Sequence, residues 1–298
     1  MKYRQIMLLT IVLALAGTAG ADYAFQGGDA ATINVADSIL DIVFISDTSG
    51  SMYDDMDSIS ASITAALEDM DCPLGDIYVR ANLLGIGGTR GSFTPTVAGY
   101  LNALYDPNPT LIQNHSEDNG PAATDVINYY DWESSPGTTF AGQNYFKAVV
   151  SIGDEGVEDG WETGPSGETY QINSLDHQAG VAANQAAIAN DVFLFMWQGT
   201  PWPSYGGSGT QIEAIYTAMA TGGSMTYNGT TYVYGATGGT YIYAPADGEV
   251  GAQLESLFCT AGSGGVDPVV PVPGAFLLGG LGLAVSSWKL RRRKEFLS

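Results

Sequence analysis

Residues 39–51 read ILDIVFISDTSGS. The first seven are apolar except Asp41. Such a run, of strand length and without polar alternation, suits a strand buried on both faces, as in a parallel sheet. The last five, Asp47-Thr48-Ser49-Gly50-Ser51, have the composition of a turn. Beyond them Met52, Met56, Ile59, Ile63, Leu67 and Met70 recur at steps of three or four. That spacing predicts an amphipathic helix over 52–70.

The same alternation continues outward. Ile77–Ile86 reads as the next strand, closed by Gly87-Gly88, and Phe146–Ile152 and Val192–Trp197 (VFLFMW) as further strands. Tyr241–Ala244 adds a brief one. Helical spacing covers Pro121–Trp132, with Pro121 in its first turn, and then the Ala-rich 172–190, 210–220 and 249–258. Segments 88–120 and 199–209 read as loops. Strands alternating with helices predict an α/β fold, a doubly wound and mainly parallel sheet flanked by helices, Rossmann-like. Residues 38–260 are enough for one such domain, with 22–37 as a lead-in.

Charge is unevenly spread. The net charge is -22, yet seven of the ten basic residues lie at the two ends. Between residues 22 and 288 only Arg80, Arg90 and Lys147 face 31 acids. Such a surface repels nucleic acid and attracts cations and basic partners. Most of these carboxylates read as a solvated coat.

Both ends carry export features. Lys2 and Arg4, the apolar Ile6–Ala16 and Ala19-Gly20-Ala21 are the three parts of a signal peptide, residues 1–21, cut after Ala21. Cys72 and Cys259 would then meet an oxidising compartment and form a disulfide. At the other end, a Gly/Pro linker (261–275) precedes the apolar Phe276–Trp288 and a basic tail, 289–298. Positive charge beside an apolar helix stays cytoplasmic, leaving the body outside. The apolar part reaches a spanning length only if residues 269–274 are counted.

This tail resembles the PEP-CTERM sorting signals recognised by exosortases. The motif is Val270-Pro271-Val272-Pro273-Gly274, with Val272 where the class usually has Glu. The resemblance implies an exosortase-like processing enzyme as a partner. An ordinary single-pass anchor is the alternative, and both readings give a membrane-anchored or cell-surface product.

Sites in parallel α/β sheets form at the carboxyl ends of strands. Two acidic turns fall there: Asp47–Ser51 after the first strand, and Gly153-Asp154-Glu155-Gly156 after strand 146–152. Carboxylate and hydroxyl oxygens are hard ligands suited to Mg²⁺, Mn²⁺ or Ca²⁺. A D-x-S-x-S loop after a buried strand, followed by an amphipathic helix and a later Ile-Gly-Asp, resembles the von Willebrand factor type A domain with its metal-ion-dependent adhesion site. The resemblance spans about residues 38–260. It implies that Asp47, Ser49 and Ser51 surround the ion and that Asp154 acts through water. A further ligand comes from a middle loop. Thr138 and Thr139 precede strand 146–152 and so belong to the opposite edge. The loop before helix 121–132 is on the correct edge and offers Glu117 or Asp118, with Thr124 behind them. In this family the ion keeps one position open for a partner's carboxylate.

Trp197, Trp202 and Tyr205 follow as a candidate aromatic rim for a partner. Glu155, Glu158 and Asp159 read as polar rim, and His115 as a solvated loop residue. The functional expectation is a metal-dependent binding module rather than an enzyme. A structural surface-layer or matrix protein is the first alternative and a metal-assisted hydrolase the second.

Overall fold

The computed structural model describes residues 23–47, 52–86, 101–103, 118–132, 142–157, 172–199, 209–243 and 250–265. All of them fall within one compact unit. Nine strands are present among them: β1 (Phe25–Gly27), β2 (Ser38–Asp47), β3 (Ile77–Ile86), β4 (Leu101–Ala103), β5 (Asn144–Gly153), β6 (Val192–Gln198), β7 (Gly223–Tyr227), β8 (Thr230–Tyr234) and β9 (Tyr241–Tyr243). Five α-helices accompany them: α1 (Tyr53–Glu68), α2 (Asn119–Tyr129), α3 (Ser174–Ala189), α4 (Gly209–Thr221) and α5 (Val250–Gly262).

The main sheet has the order β1-β3-β2-β5-β6-β9. Pairs β3–β2, β2–β5, β5–β6 and β6–β9 are parallel, while β1 and β4 pair with β3 antiparallel. The fold is thus the expected mainly parallel α/β sheet between helices. Every residue of β2 is buried, as its near-continuous apolar run requires. Its side chains alternate between two cores. Leu40, Ile42 and Phe44 join α1 and α5, where Phe44 meets Phe258 edge-on at 6.2 Å. Val43 and Ile45 join α2, α3 and α4.

Three features depart from the sequence reading. Residues 25–27 of the lead-in form β1 on the edge of β3, and β4 lies inside the segment read as loop. Strands of three residues are too short to carry a period. A hairpin, β7–β8, forms a separate two-stranded sheet. Its turn is Asn228-Gly229, both at positive φ (46° and 78°), the pair that a two-residue hairpin turn favours. Lastly, α5 runs four residues beyond Phe258. Its last turn carries the fully buried Ala261 and the disulfide Cys259–Cys72, with Cα atoms 5.2 Å apart. Tertiary packing there overrides the weak helix propensity of Thr and Gly.

The amino half of the sheet is closed by polar bonds as well as by this disulfide. Asp41, on β2, is fully buried and takes Nε of Arg80 at 2.6 Å and a second guanidinium nitrogen at 2.8 Å. Tyr23 and Tyr145 donate their hydroxyls to the same carboxylate at 2.6 and 2.7 Å. The Arg80 guanidinium also lies 4.6 Å over the Tyr23 ring. Ser38 Oγ donates to Gly262 O, tying the end of α5 to the start of β2.

Among the described residues no helix is long and apolar enough to cross a membrane. The signal segment 1–21, the sorting motif Val270-Pro271-Pro273-Gly274 and the apolar 276–288 lie outside them.

Candidate metal centre

Strand order places the crevice. From β2 the chain crosses to β3 on one side and later returns to β5 on the other. Ligand sites in open α/β sheets form where strand order reverses in this way, outside the carboxyl ends. Register sets Ser46 beside Ile152, so Asp47 ends β2 next to Gly153, and Asp154 follows directly. Both aspartates have zero exposure. Two acidic side chains buried at neighbouring strand ends are costly unless their charge is compensated.

The first turn of α2 reaches this edge. Ser151 Oγ donates to Asn119 O (3.4 Å), and Gly120 N donates to Val157 O (2.8 Å). Asn119 is fully buried. Its Nδ2 donates to the Tyr216 hydroxyl at a long 3.4 Å. Tyr216, on α4, spends its own proton on Glu155 O at 3.1 Å. Burial pushes the Tyr216 phenol well above its ordinary range, and the charges of Asp154 and Asp47 push it further. The phenol therefore stays neutral beside the acidic pair. Gly153 is glycine for a packing reason: a Cβ there would overlap Asn119 Nδ2 and stand 3.0 Å from the Tyr216 hydroxyl.

The remaining expected residues divide sharply. Asp118 is the N-cap residue of α2 and is buried, at the same edge. Thr124 lies six residues further on, inside α2, and its hydroxyl donates to Gly120 O at 2.9 Å. Ser49, Ser51 and Glu117 lie outside the described residues, as do Trp202, Tyr205, Thr138 and Thr139. The chain enters β5 beside the start of β2, where Asn144 N donates to Asp37 O. The beginning of β5 is thus at the opposite edge from Asp47. Among the described residues no group of three His, Cys, Asp or Glu side chains gathers as a metal site.

Trp197 does not form a rim. It is 1 % exposed and packs into the core against α1 and α5, because its position in β6 points it inward. Glu155, read as rim, is buried too, at 2 %. The N-terminus of α3 closes over this turn. Asn173 and Asp176 form a capping box, and Asp176 Oδ1 occupies the space that a Cβ on Gly156 would need.

Asn119 and Tyr216 were not singled out by sequence. Asn119-Gly120-Pro121 is a recognisable helix start, and Tyr216 is one apolar-face residue among several on its helix. The polar groups at this edge, Asp47, Asp154, Asp118 and the Asn119 amide, carry hard oxygen atoms. In donor chemistry they fit Mg²⁺, Mn²⁺ or Ca²⁺.

No family model and no curated protein matches the chain. Solved structures are similar only distantly. The pilus adhesin SpaC from Lactobacillus rhamnosus GG, in its open conformation, superposes with a TM-score of 0.47 at 12% identity, over 79% of this chain and 31% of the adhesin. A second structure of that adhesin gives 0.42 at 12% identity, over 79% and 32%. The human COPII-coat protein Sec24c gives 0.39 at 7% identity, over 79% and 34%. The chain spans about a third of the length of these neighbours. At such scores the likeness identifies no family.

Proposed function

We propose that this protein is an exported, surface-associated binding domain that uses one divalent ion to hold a carboxylate of a protein or matrix partner. The observation that supports it most is the pair Asp47 and Asp154. Both are fully buried at the ends of adjacent parallel strands, astride the reversal of strand order. Asp47, Ser49 and Ser51 would hold the ion, with Asp154 acting through water and one more oxygen supplied by segment 117–124. A bound divalent ion would supply a local positive charge with room for one outside ligand.

The chain's own residues do the rest. Tyr216, kept neutral, fixes the turn after β5 through Glu155 O. The acidic coat repels an acidic partner at long range, so contact would be selective for a ligand that reaches the edge. The disulfide Cys72–Cys259 supports export, since such bonds persist in oxidising compartments. Anchoring through the apolar segment 276–288, or its removal by an exosortase-like enzyme, rests on the tail sequence alone.

Calorimetric titration of the purified protein with Mg²⁺, Mn²⁺ and Ca²⁺, beside Asp47→Ala, tests the reading. One saturable site, lost in the variant, is expected. Equal, weak, salt-sensitive binding in both proteins would leave the acids as a solvated coat and the chain as a structural surface domain. Chelator-sensitive turnover of small esters or phosphates would instead make it a hydrolase.

A further inference from the structure

We infer that Asn119, rather than an acid or a threonine of the same segment, supplies the middle oxygen of the proposed ion site. The inference rests on the metal reading above. Asn119 has zero exposure, and its Oδ1 is buried without a hydrogen bond. A buried amide oxygen left so is costly.

The orientation of the amide follows from its neighbours. The Tyr216 hydroxyl has one proton, and it goes to Glu155 O. Toward Asn119 the phenol can only accept, so the amide nitrogen faces it. That nitrogen also covers Gly153. The oxygen is therefore turned away from Tyr216 and stays unpartnered, on a residue packed against the end of β5 that leads into Asp154. Ser151 Oγ holds the Asn119 backbone carbonyl and fixes the residue to β5. The other candidates of the segment are placed differently. The Thr124 hydroxyl is bonded back into its own helix, and Asp118 sits one residue earlier, at the N-cap position.

The choice of amide has a chemical consequence. A neutral oxygen adds no charge to the site, so an ion held by Asp47 and Asp154 keeps more of its positive charge. It would attract a partner's carboxylate more strongly than an ion beside a third acid.

The test is Mn²⁺ titration of the full-length protein, wild type against Asn119→Ala, Asn119→Asp and Asp47→Ala. Far-ultraviolet circular dichroism and thermal unfolding of the metal-free proteins monitor the fold. Asn119→Ala should weaken Mn²⁺ by about 10–100-fold, the usual scale for a lost metal-site partner, with the fold retained. Asn119→Asp, of the same shape, should tighten Mn²⁺ several-fold. Should Asn119→Ala fail to fold, Asn119→Asp decides alone. Wild-type affinity in either folded Asn119 variant, with binding lost in Asp47→Ala, overturns the role of Asn119 and leaves the ion site standing. No saturable binding by the wild type overturns both.

Discussion

One strand carries two buried aspartates with opposite surroundings. Asp41, in the amino half of β2, meets a bidentate Arg80 and two phenol donors. Burial pushes its carboxyl up, and Arg80 with the two phenols pulls it down. Asp47, six residues on, ends the strand near Asp154, Tyr216 and Asn119. The two cations of the described body are placed elsewhere. Arg80 binds Asp41, and Lys147 donates to Asn190 O. The amino half thus neutralises its buried charge internally, and the carboxyl edge concentrates acids. Under the proposed function, that contrast separates a region that holds the fold together from one that receives an ion.

The largest effects should come from breaking the closed half. Replacing Cys72 and Cys259 by Ser opens a loop of 187 residues. Chain entropy assigns about 5 kcal/mol to it. Denaturant unfolding should show that loss, while Mn²⁺ affinity of the folded fraction is unchanged. Arg80→Met leaves Asp41 buried without its cation. Removing one partner of such a pair costs about 3–5 kcal/mol, and the same measurement should again find metal affinity unchanged. A fall in affinity in either variant would mean that the two halves are coupled.

The carboxyl edge should respond the other way. Gly153→Ala forces a methyl into the Asn119 amide. Overpacking of this kind costs about 1–3 kcal/mol. The displaced amide should also weaken Mn²⁺, so both unfolding and titration should register the change.

The smallest effect should lie where α3 packs on the hairpin. His177 stacks on Tyr232 at 4.6 Å, meets the Tyr234 hydroxyl through Nδ1 at 3.2 Å, and is 2 % exposed. Burial lowers its pKa. Its folded value lies below the unfolded one, near 6.5. The neutral form is therefore fully stabilising above that pH. Stability is lost as pH falls below it toward the folded value. Unfolding curves from pH 7 to 5 should show a modest decline that His177→Phe reduces.

Much of this was legible in the sequence, for physical reasons. β2, β3, β5 and β6 are long apolar runs because both their faces are covered, and only such burial writes so plain a pattern. The strand ends then located Asp47 and Asp154. The pairing of Cys72 with Cys259 followed from their being the only two cysteines. Of the three-residue strands, β9 showed in Tyr241–Ala244, but β1 and β4 left no such mark. The β7–β8 hairpin did, in Asn228-Gly229, and the turn signal passed unread. Trp197 was misplaced because a residue near a strand end can face either the crevice or a core, and alternation along β6 puts it in the core. Asn119 and Tyr216 meet across 97 residues. Nothing local in either segment announces that contact.

The most direct test is thermal unfolding of wild type and Asp47→Ala, each in chelator and in saturating Mg²⁺. At about 100 times the dissociation constant, a ligand that binds only the folded state adds about 2.7 kcal/mol. For a domain of this size that is a rise of about 5–10 °C. The wild type should show the rise. Asp47→Ala should show none, while unfolding in chelator no earlier than the wild type, since it has lost a buried carboxylate. Equal shifts in the two proteins, or a metal-free variant much less stable than the wild type, would contradict the account and make Asp47 a structural residue like Asp41.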